Sequence, residues 1–548
     1  LPAPTPLEDY LGPFTSGDEP FLCFHDFLSS KEEVRTCYSR GEFWRLVRRC
    51  VATLLHSGLM KGDSHVHYFS GNSVVDLAMR TGSVVLGTVP VTVNWQADTA
   101  ELVAYKIAIS RAKLVVTDER TPPGVLSSLR EQFPACLFVS ATEILITTPH
   151  ADICSLVRAG RPVAPEDTRC VIFTSGTTGK PKGVQLSYAN YSTNRSTFES
   201  FLQLTDPSIA FTPLCVNPMH HTNSTSLTDW ALRRPGTTLH LVEHYTTQYW
   251  NILVGVHGDA PAAGDEEQSF KRTRLAPPGE RVVVAPLVSR HIDFLETLFS
   301  AATPSIRIDR DQLSKCLSNT ILLLGSAPVG PTTVSRLLEY ARRLPTVRFG
   351  STETTLQVCG IPVCLAQEYV VSCFQRGWAH THPDGSTCQG FYIGREHSPF
   401  TEVDIVKSVV RGEDGFMERS PAGVPGYIVT RGGHVFKSYV GLAADVSASA
   451  KSADGWYLNL GDIGFWLPST GDDDYSYKEI YWQSRDSQML IRGGANYAFE
   501  QVNAELKQFV SQKYELPLAS FSLAVCGIRV LSEHEDECCV VLQLHPDE

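Results

Sequence analysis

The stretch "VIFTSGTTGKPKGV", Val171 to Val184, decides how the rest of the chain is read. Val171, Ile172 and Phe173 read as the end of a buried strand. Directly after them come Thr174, Ser175, Gly176, Thr177, Thr178 and Gly179, then Lys180, Pro181 and Lys182. Glycines allow successive backbone N–H groups to turn toward one anion. The hydroxyls add donors, Lys182 adds a full positive charge, and Pro181 stiffens the run. That is the physics of a phosphate cradle. It is not a Walker A loop, because Gly176 and Gly179 enclose only two residues and Lys180 precedes a proline. It is not a dinucleotide-binding fingerprint either.

The remaining sequence sets the frame. A chain of 548 residues exceeds what one core holds and implies several subdomains. Hydrophobic content of 43% with 19% charged residues describes a soluble globular protein. A net charge of −12 argues against a nucleic-acid-binding surface. The longest apolar run, "SVVLGTVPVTV", is broken by Gly87 and Pro90 and reads as a buried element, not a transmembrane segment. The 15 cysteines include no C-x-x-C pair, which reads as reduced thiols in a reducing intracellular compartment, cytoplasmic or organellar. Cys538 and Cys539 read as part of a buried strand. The opening residues do not read as a signal peptide, and a start at Leu1 reads as a processed or incomplete chain. The sequons at Asn190, Asn194 and Asn223 read as unglycosylated.

Periodicity gives the architecture. "EFWRLVRRCVATLLHSG" places Phe43, Trp44, Val47, Val51, Leu54 and Leu55 on one helical face, with Gly58 at the C-terminal cap. "VVDLAMRTGSVVLGTVPV" and "ELVAYKIAISRAKLVVTD" each read as helix then strand. "RCVIFTS", "TILLLGS" and "TVRFGS" are short apolar runs ending in small residues, and "PTTVSRLLEYARRL" is a helix after the second. The alternation predicts an α/β fold with mostly parallel sheets, whose ligands bind at the carboxyl ends of strands. His257 to Glu280 reads as a surface loop, and "RGEDGFMERSPAGVPG" as a second loop-rich stretch before the strand and turn "YIVTRGGHVF".

The opening stretch resembles the phosphate loop of the AMP-forming adenylating superfamily, which includes acyl-CoA synthetases and coumarate-CoA-ligase-like enzymes. Further segments resemble that family's motifs in order: "NPMHHTNS", "LLLGSAPVG", "FGSTET", "DGWYLNLGDIGFW" and "SRDSQMLIRGGANY". The resemblance runs from about Phe43 to the end of the chain. It implies ATP, Mg²⁺ and coenzyme A as co-substrates and cofactor, with a small-molecule carboxylic acid as partner. It implies that Thr174, Ser175, Gly176, Thr177, Thr178, Gly179 and Lys182 hold the β- and γ-phosphates, that Glu353 with Thr178 binds Mg²⁺, and that Thr352 touches the α-phosphate. Asp462 would bind the ribose with help from Arg485. Ser326, Ala327 and Phe349 would bracket the adenine, and His221 would stand between the acyl pocket and the thiol channel. Taken alone, His220 or His221 is more often structural, and the pair without further ligands does not make a zinc site.

The implied layout is a large N-terminal domain of packed α/β subdomains over residues 1–487, and a small, incomplete α+β C-terminal domain over 488–548 with its hinge near Gln488. Three departures accompany it. Gln488 stands where the family has a hinge aspartate or lysine, Leu460 replaces a threonine, and the family's C-terminal adenylation lysine has no counterpart. The last is expected to lie in a longer chain. Asp229 falls too late to bind an amino group, so a non-amino carboxylic acid is preferred; "HHTNSTSL" is compatible with an aliphatic chain, and the resemblance points to a fatty or medium-chain acid. Two alternatives accompany it: an adenylating enzyme with a non-CoA acceptor, and a non-catalytic family member serving as a nucleotide-binding or scaffold subunit of a larger assembly.

Overall fold

The computed structural model describes residues 6–15, 17–27, 33–150, 163–174, 181–258, 281–300, 306–383, 385, 389–442, 444–470, 477–485, 489–492, 495–517, 520–530 and 535–545. The first amphipathic helix forms over Arg40–His56. Ser39 and Glu42 cap each other's backbone N–H, and Gly58 leaves the helix at φ 71°. Its apolar face (Phe43, Val47, Val51, Leu54) is fully buried, with Trp44 and Leu55 partly buried at its margin.

Among the described residues two large sheets organise the chain. The smaller has seven strands. Ser64–Tyr68, Val89–Thr92, Leu114–Thr117, Leu137–Ser140 and Thr168–Thr174 are parallel neighbours. Thr168–Thr174 then turns back as the antiparallel strand Lys182–Ser187, and the two-residue strand Ser438–Tyr439 pairs with that edge. The larger sheet has thirteen strands. Pro20–Asp26, Leu239–Val242, Ala210–Cys215, Arg281–Leu287, Thr320–Leu324 and Thr346–Phe349 run parallel in that spatial order. Beyond Phe349 the sheet continues with antiparallel strands through Cys359–Gly360, Phe391–Glu396, Lys478–Arg485, Asp462–Pro468, Gly426–Gly432 and Thr401–Val406. The α/β class therefore holds, and the parallel strands are those whose helix-then-strand alternation is legible.

One apolar cluster joins the sheets. It takes Leu114 and Val116 from the smaller sheet, Phe211, Val284 and Leu323 from the larger, and Phe43, Leu77, Leu227 and Trp230 from helices between them. The helix Thr222–Arg233 has all its residues buried, although Thr222, Asn223, Ser224, Thr225, Ser226 and Thr228 are polar. Near the C-terminus, the hairpin Met489–Arg492/Ala495–Ala498, the helix Phe499–Tyr514 and the hairpin Phe521–Ile528/Glu537–Leu544 give a small α+β unit.

Several expectations are settled by burial and register. Asn190, Asn194 and Asn223 are buried, which leaves no room for a glycan on the folded chain. Residues 259–280 of the expected surface loop lie outside the described residues. Cys538 lies in a strand as expected, but it is exposed. The expectation of uniformly reduced thiols is corrected at one pair. The edge strand Val34–Ser39 sets Cys37 opposite Cys23, and the two are bonded as a disulfide. That removes the argument from cysteine usage to a reducing compartment. No helix among the described residues is long and apolar enough to cross a membrane.

Asp229 proves to be structural. Its carboxylate accepts from Tyr10 Oη at 2.6 and 2.8 Å, from Arg169 Nε at 3.2 Å and from Arg233 Nη1 at 3.3 Å. All four side chains are buried. Removing one member of such a network strands the other charges, so Asp229→Ala should cost about 3–5 kcal/mol, read as a lowered denaturation midpoint. An unchanged midpoint would mean that the network does not hold the layers together.

Candidate functional site

The site is built where the two sheets meet. Thr174 and Lys182 face each other across the hairpin of the smaller sheet. Ser175, Gly176, Thr177, Thr178 and Gly179, which connect them, lie outside the described residues, as does Gln488. Lys182 Nζ lies 5.5 Å from the centroid of the Tyr439 ring, within cation–π range. The strand pairing causes this: Tyr439 sits opposite Val184, two residues along from Lys182. The Tyr439 hydroxyl donates to Glu353 Oε1 at 3.2 Å. One aromatic side chain therefore brings the lysine after the loop to the carboxylate of "FGSTET".

Glu353 is carried on a tight turn after the last parallel strand. Ser351 N donates to Thr354 Oγ1 at 2.8 Å, and a short 3-10 turn covers Thr352–Thr354. The backbone then passes through left-handed conformations at Thr355 (φ 48°) and Leu356 (φ 89°). A non-glycine φ of 89° is strained, and such strain concentrates at functional turns. Gly350 permits this return, because a Cβ there would meet the Leu356 carbonyl oxygen at 2.3 Å. Phe436 N donates to the Glu353 carbonyl at 2.7 Å and fixes the turn from the other side. Burial holds the Glu353 carboxyl above the usual carboxylate range. The Tyr439 hydroxyl and the charge of Arg485 offset the burial only in part. A desolvated carboxylate oxygen of this kind fits a hard divalent metal such as Mg²⁺.

Asp462 and Arg485 are cross-strand partners, with Arg485 Nε at 3.2 Å from Asp462 Oδ1. Trp482 Nε1 donates to the same oxygen at 2.8 Å. A carboxylate has about four lone-pair directions, so the two partners leave capacity for further donors such as ribose hydroxyls. Phe349 and Ala327 pack on the same apolar cluster as Tyr439, Tyr457, Leu460 and Trp482. Ser326 precedes Ala327 at φ 68° and is exposed.

His221 stands on another element, at the N-terminus of the Thr222–Arg233 helix. Burial, with a smaller contribution from Lys106, pushes its imidazole down to about 4, so it is neutral at physiological pH. Lys106 lies over the Phe173 ring at 4.8 Å, next to Thr174, which links the histidine electrostatically to the loop strand. His220 is buried behind it against Trp95, with neither ring nitrogen hydrogen-bonded. No cluster of metal ligands is present among the described residues. The sequence reading missed Tyr439, Tyr457 and Trp482. Their roles come from strand pairing over long separations, which no local spacing reports.

Comparisons with known proteins show what the chain is similar to. Residues 17–258 match the model of the AMP-binding enzyme family. A 2-succinylbenzoate–CoA ligase of Bacillus licheniformis is 25% identical over 463 residues, covering 84% of this chain and 77% of the relative. A long-chain-fatty-acid–CoA ligase of Mycobacterium tuberculosis is 25% identical over 231 residues, 42% of this chain and 44% of that one. The fold matches a double mutant of o-succinylbenzoate CoA synthetase from Bacillus subtilis bound with its product analogue. That match has a TM-score of 0.69 at 17% identity, covering 100% of this chain and 89% of the other. Residues 17–258 thus match an AMP-binding enzyme domain, and the relatives and the solved structure that match over most of the chain are CoA ligases or synthetases.

The raised Glu353 carboxyl makes a signed prediction. The fold favours its protonated form, so ionisation costs stability at pH above the folded-state pKa, and that cost is absent below the ordinary carboxylate range. Glu353→Gln should therefore melt at or above the parent temperature at pH 8 while losing magnesium-dependent nucleotide binding. A clear drop in melting temperature with binding intact would contradict this placement.

Proposed function

We propose that the protein activates a carboxylic acid with ATP and passes the acyl group to coenzyme A. The observation that carries the reading is the convergence of Lys182 and Glu353 on Tyr439. A cation and a metal-ready carboxylate beside a glycine-hydroxyl loop are what an attack on the α-phosphate needs, since such transfers depend on positioning and charge neutralisation. One oxygen of the acid attacks the α-phosphorus, and pyrophosphate leaves with the electrons of the broken P–O bond. The thiol sulfur then attacks the acyl carbon, its proton is lost to solvent, and AMP leaves.

Within this reading Lys182, with Thr174, Ser175, Gly176, Thr177, Thr178 and Gly179, orients the β- and γ-phosphates, and Thr352 meets the α-phosphate. Glu353 and Thr178 would hold Mg²⁺, which would supply charge neutralisation for the phosphates. Asp462 accepts from the ribose, and Arg485 fixes its carboxylate. Phe349 and Ala327 form the wall against the adenine, beside Ser326. His221, neutral and at a helix N-terminus, meets the reacting carboxylate as a hydrogen-bond donor. The division near Gln488, with residues 1–487 as the adenylating body, belongs to the same proposal.

The two named relatives act on different acids, a succinylbenzoate and long-chain fatty acids, so their names support a carboxylic acid and no single class. The fatty-acid preference draws support from the second name only. The polar side chains of the buried Thr222–Arg233 helix weigh against a long aliphatic tail.

Pyrophosphate release by the full-length protein, with MgATP and a panel of acids, tests the reading. Acid-dependent release is expected, with thioester formation only when coenzyme A is present. Lys182→Ala should cut that release at least about 100-fold with little change in folding. Nucleotide binding without release for any acid would favour the non-catalytic alternative.

A further inference from the structure

Arg348 is the penultimate residue of the strand Thr346–Phe349, in the apolar run "TVRF". It is 4% exposed, and Nε, Nη1 and Nη2 all lack a hydrogen-bond partner. The other buried arginines behave differently. Arg80 pairs with Asp76, Arg169 with Asp229, and Arg233 with Asp9 and Asp229. Arg234 pairs with Glu199 and donates to the carbonyls of Leu204, Asp206 and Ile209. Arg40 donates to the Arg234 carbonyl. Among the described residues, Arg348 alone of these guanidiniums meets neither carboxylate nor carbonyl. Burial pushes it down to about 9, which leaves it charged at neutral pH. The neighbouring Cys215 thiol is pushed up to about 12 by its own burial and supplies no anion.

Its place in the sheet is informative. Val347 packs with Leu322, Leu324 and Leu287 on one face, so Arg348 points to the other. That second face carries Cys215, Leu323 and the helix Thr222–Arg233. Strand register sets Arg348 beside Gly325, whose added Cβ would lie 3.2 Å from Arg348 Cγ and 3.6 Å from Nε. Gly325 opens the segment assigned to the adenine, and Cys215 ends the strand that leads to His221. Arg348 thus stands near the carboxyl ends of the parallel strands, beside Gly325 of the nucleotide segment and near Cys215, from which the chain runs on to His221. Asn223 Oδ1 and Ser226 Oγ on the facing helix, and both amide atoms of Gln357, are also buried without partners.

We propose that Arg348 determines substrate specificity by binding a second anionic group, so that the acid activated is a dicarboxylic acid. This rests on the adenylation reading above. A buried cation without an anion is costly, and a second carboxylate matches the planar guanidinium fork through two parallel N–H···O bonds. The remote carboxylate would then be held by Arg348 while the other reaches the α-phosphate. A site built around such a pair discriminates strongly against an acid that leaves the charge unpaired.

The test compares dicarboxylates with monocarboxylates of equal chain length, from glutarate and pentanoate to suberate and octanoate. The full-length protein and Arg348→Met are followed by pyrophosphate release and by melting temperature. In the parent, kcat/KM for the best dicarboxylate should exceed that of its matched monocarboxylate at least about 100-fold. Arg348→Met should abolish or reverse the preference while leaving MgATP binding and the KM for coenzyme A unchanged. It should melt at or above the parent temperature, since an unpaired buried charge has gone. Dicarboxylates should raise the melting temperature of the parent and not of the variant. Arg348→Lys, which keeps the charge without the fork, should keep a reduced preference. A clear drop in stability of Arg348→Met would overturn the proposal by assigning Arg348 a structural partner. Equal discrimination in parent and variant, a preference for monocarboxylates, or weakened ATP or coenzyme A binding with discrimination intact would also overturn it. If no acid elicits pyrophosphate from the parent, the adenylation reading fails separately. The melting shift with dicarboxylates, present in the parent and lost in Arg348→Met, then decides the role of Arg348 alone, and its absence counts against it.

Discussion

The Tyr439 hydroxyl donates to Glu353 at 3.2 Å while its ring lies beside the Lys182 ammonium, and this side chain ties the two sheets together at the site. Tyr439 belongs to a strand of only two residues, Ser438–Tyr439, added to the edge of the smaller sheet. Glu353 belongs to the turn at the end of the parallel core of the larger one. Edge strands invite a partner, and here the partner comes from a segment some 250 residues further along the chain. The loop strand and the metal-ready carboxylate thereby acquire a fixed relation that neither sheet provides alone. Val184, Tyr439, Tyr457 and Trp482 then share one apolar cluster, which gives the polar groups above it a rigid floor.

Buried polarity has two uses in this protein. In the Tyr10–Asp229–Arg169–Arg233 network each charge meets opposite charge or a strong donor, and the outcome is structural. Glu353 and Arg348 are ionisable groups buried with no salt bridge among the described residues. Such groups cost stability and are tolerated where a ligand completes them. Both lie at the carboxyl ends of parallel strands, which is where an α/β sheet leaves its crevice. The same reasoning makes Asp229, which falls too late in the sequence to bind an amino group, a structural residue, since its oxygens already accept from three buried side chains.

Much of this was legible in the sequence, for definable reasons. The glycine-hydroxyl loop is readable because phosphate chemistry dictates residue type at short spacing, whereas Glu353 and Asp462 are singled out only by the resemblance, through motifs that stand in the family's order. The parallel strands are readable because each is a short apolar run beside an amphipathic helix. Of the antiparallel strands beyond Phe349 in the larger sheet, Gly426–Gly432 is legible as the strand before a turn, while the others lack that alternation. Tyr439 was not legible, because "KSYVG" carries no local signal and its meaning comes from pairing with Val184. Arg348 was hidden inside an apolar run, where only burial and missing partners single it out. The Cys23–Cys37 bond depends on cross-strand register and escaped a reading based on cysteine spacing. The small residues of "HHTNSTSL" suggest space for an aliphatic chain while saying nothing of the buried Ser226 hydroxyl and Asn223 amide oxygen that lack partners.

The central claim is that Tyr439 assembles the nucleotide site. Equilibrium titration of MgATP into the full-length protein and into Tyr439→Ala, with folding monitored in parallel, tests it most directly. The account predicts saturable binding by the parent and at least about tenfold weaker binding by the folded variant. Equal affinity in the two would contradict it.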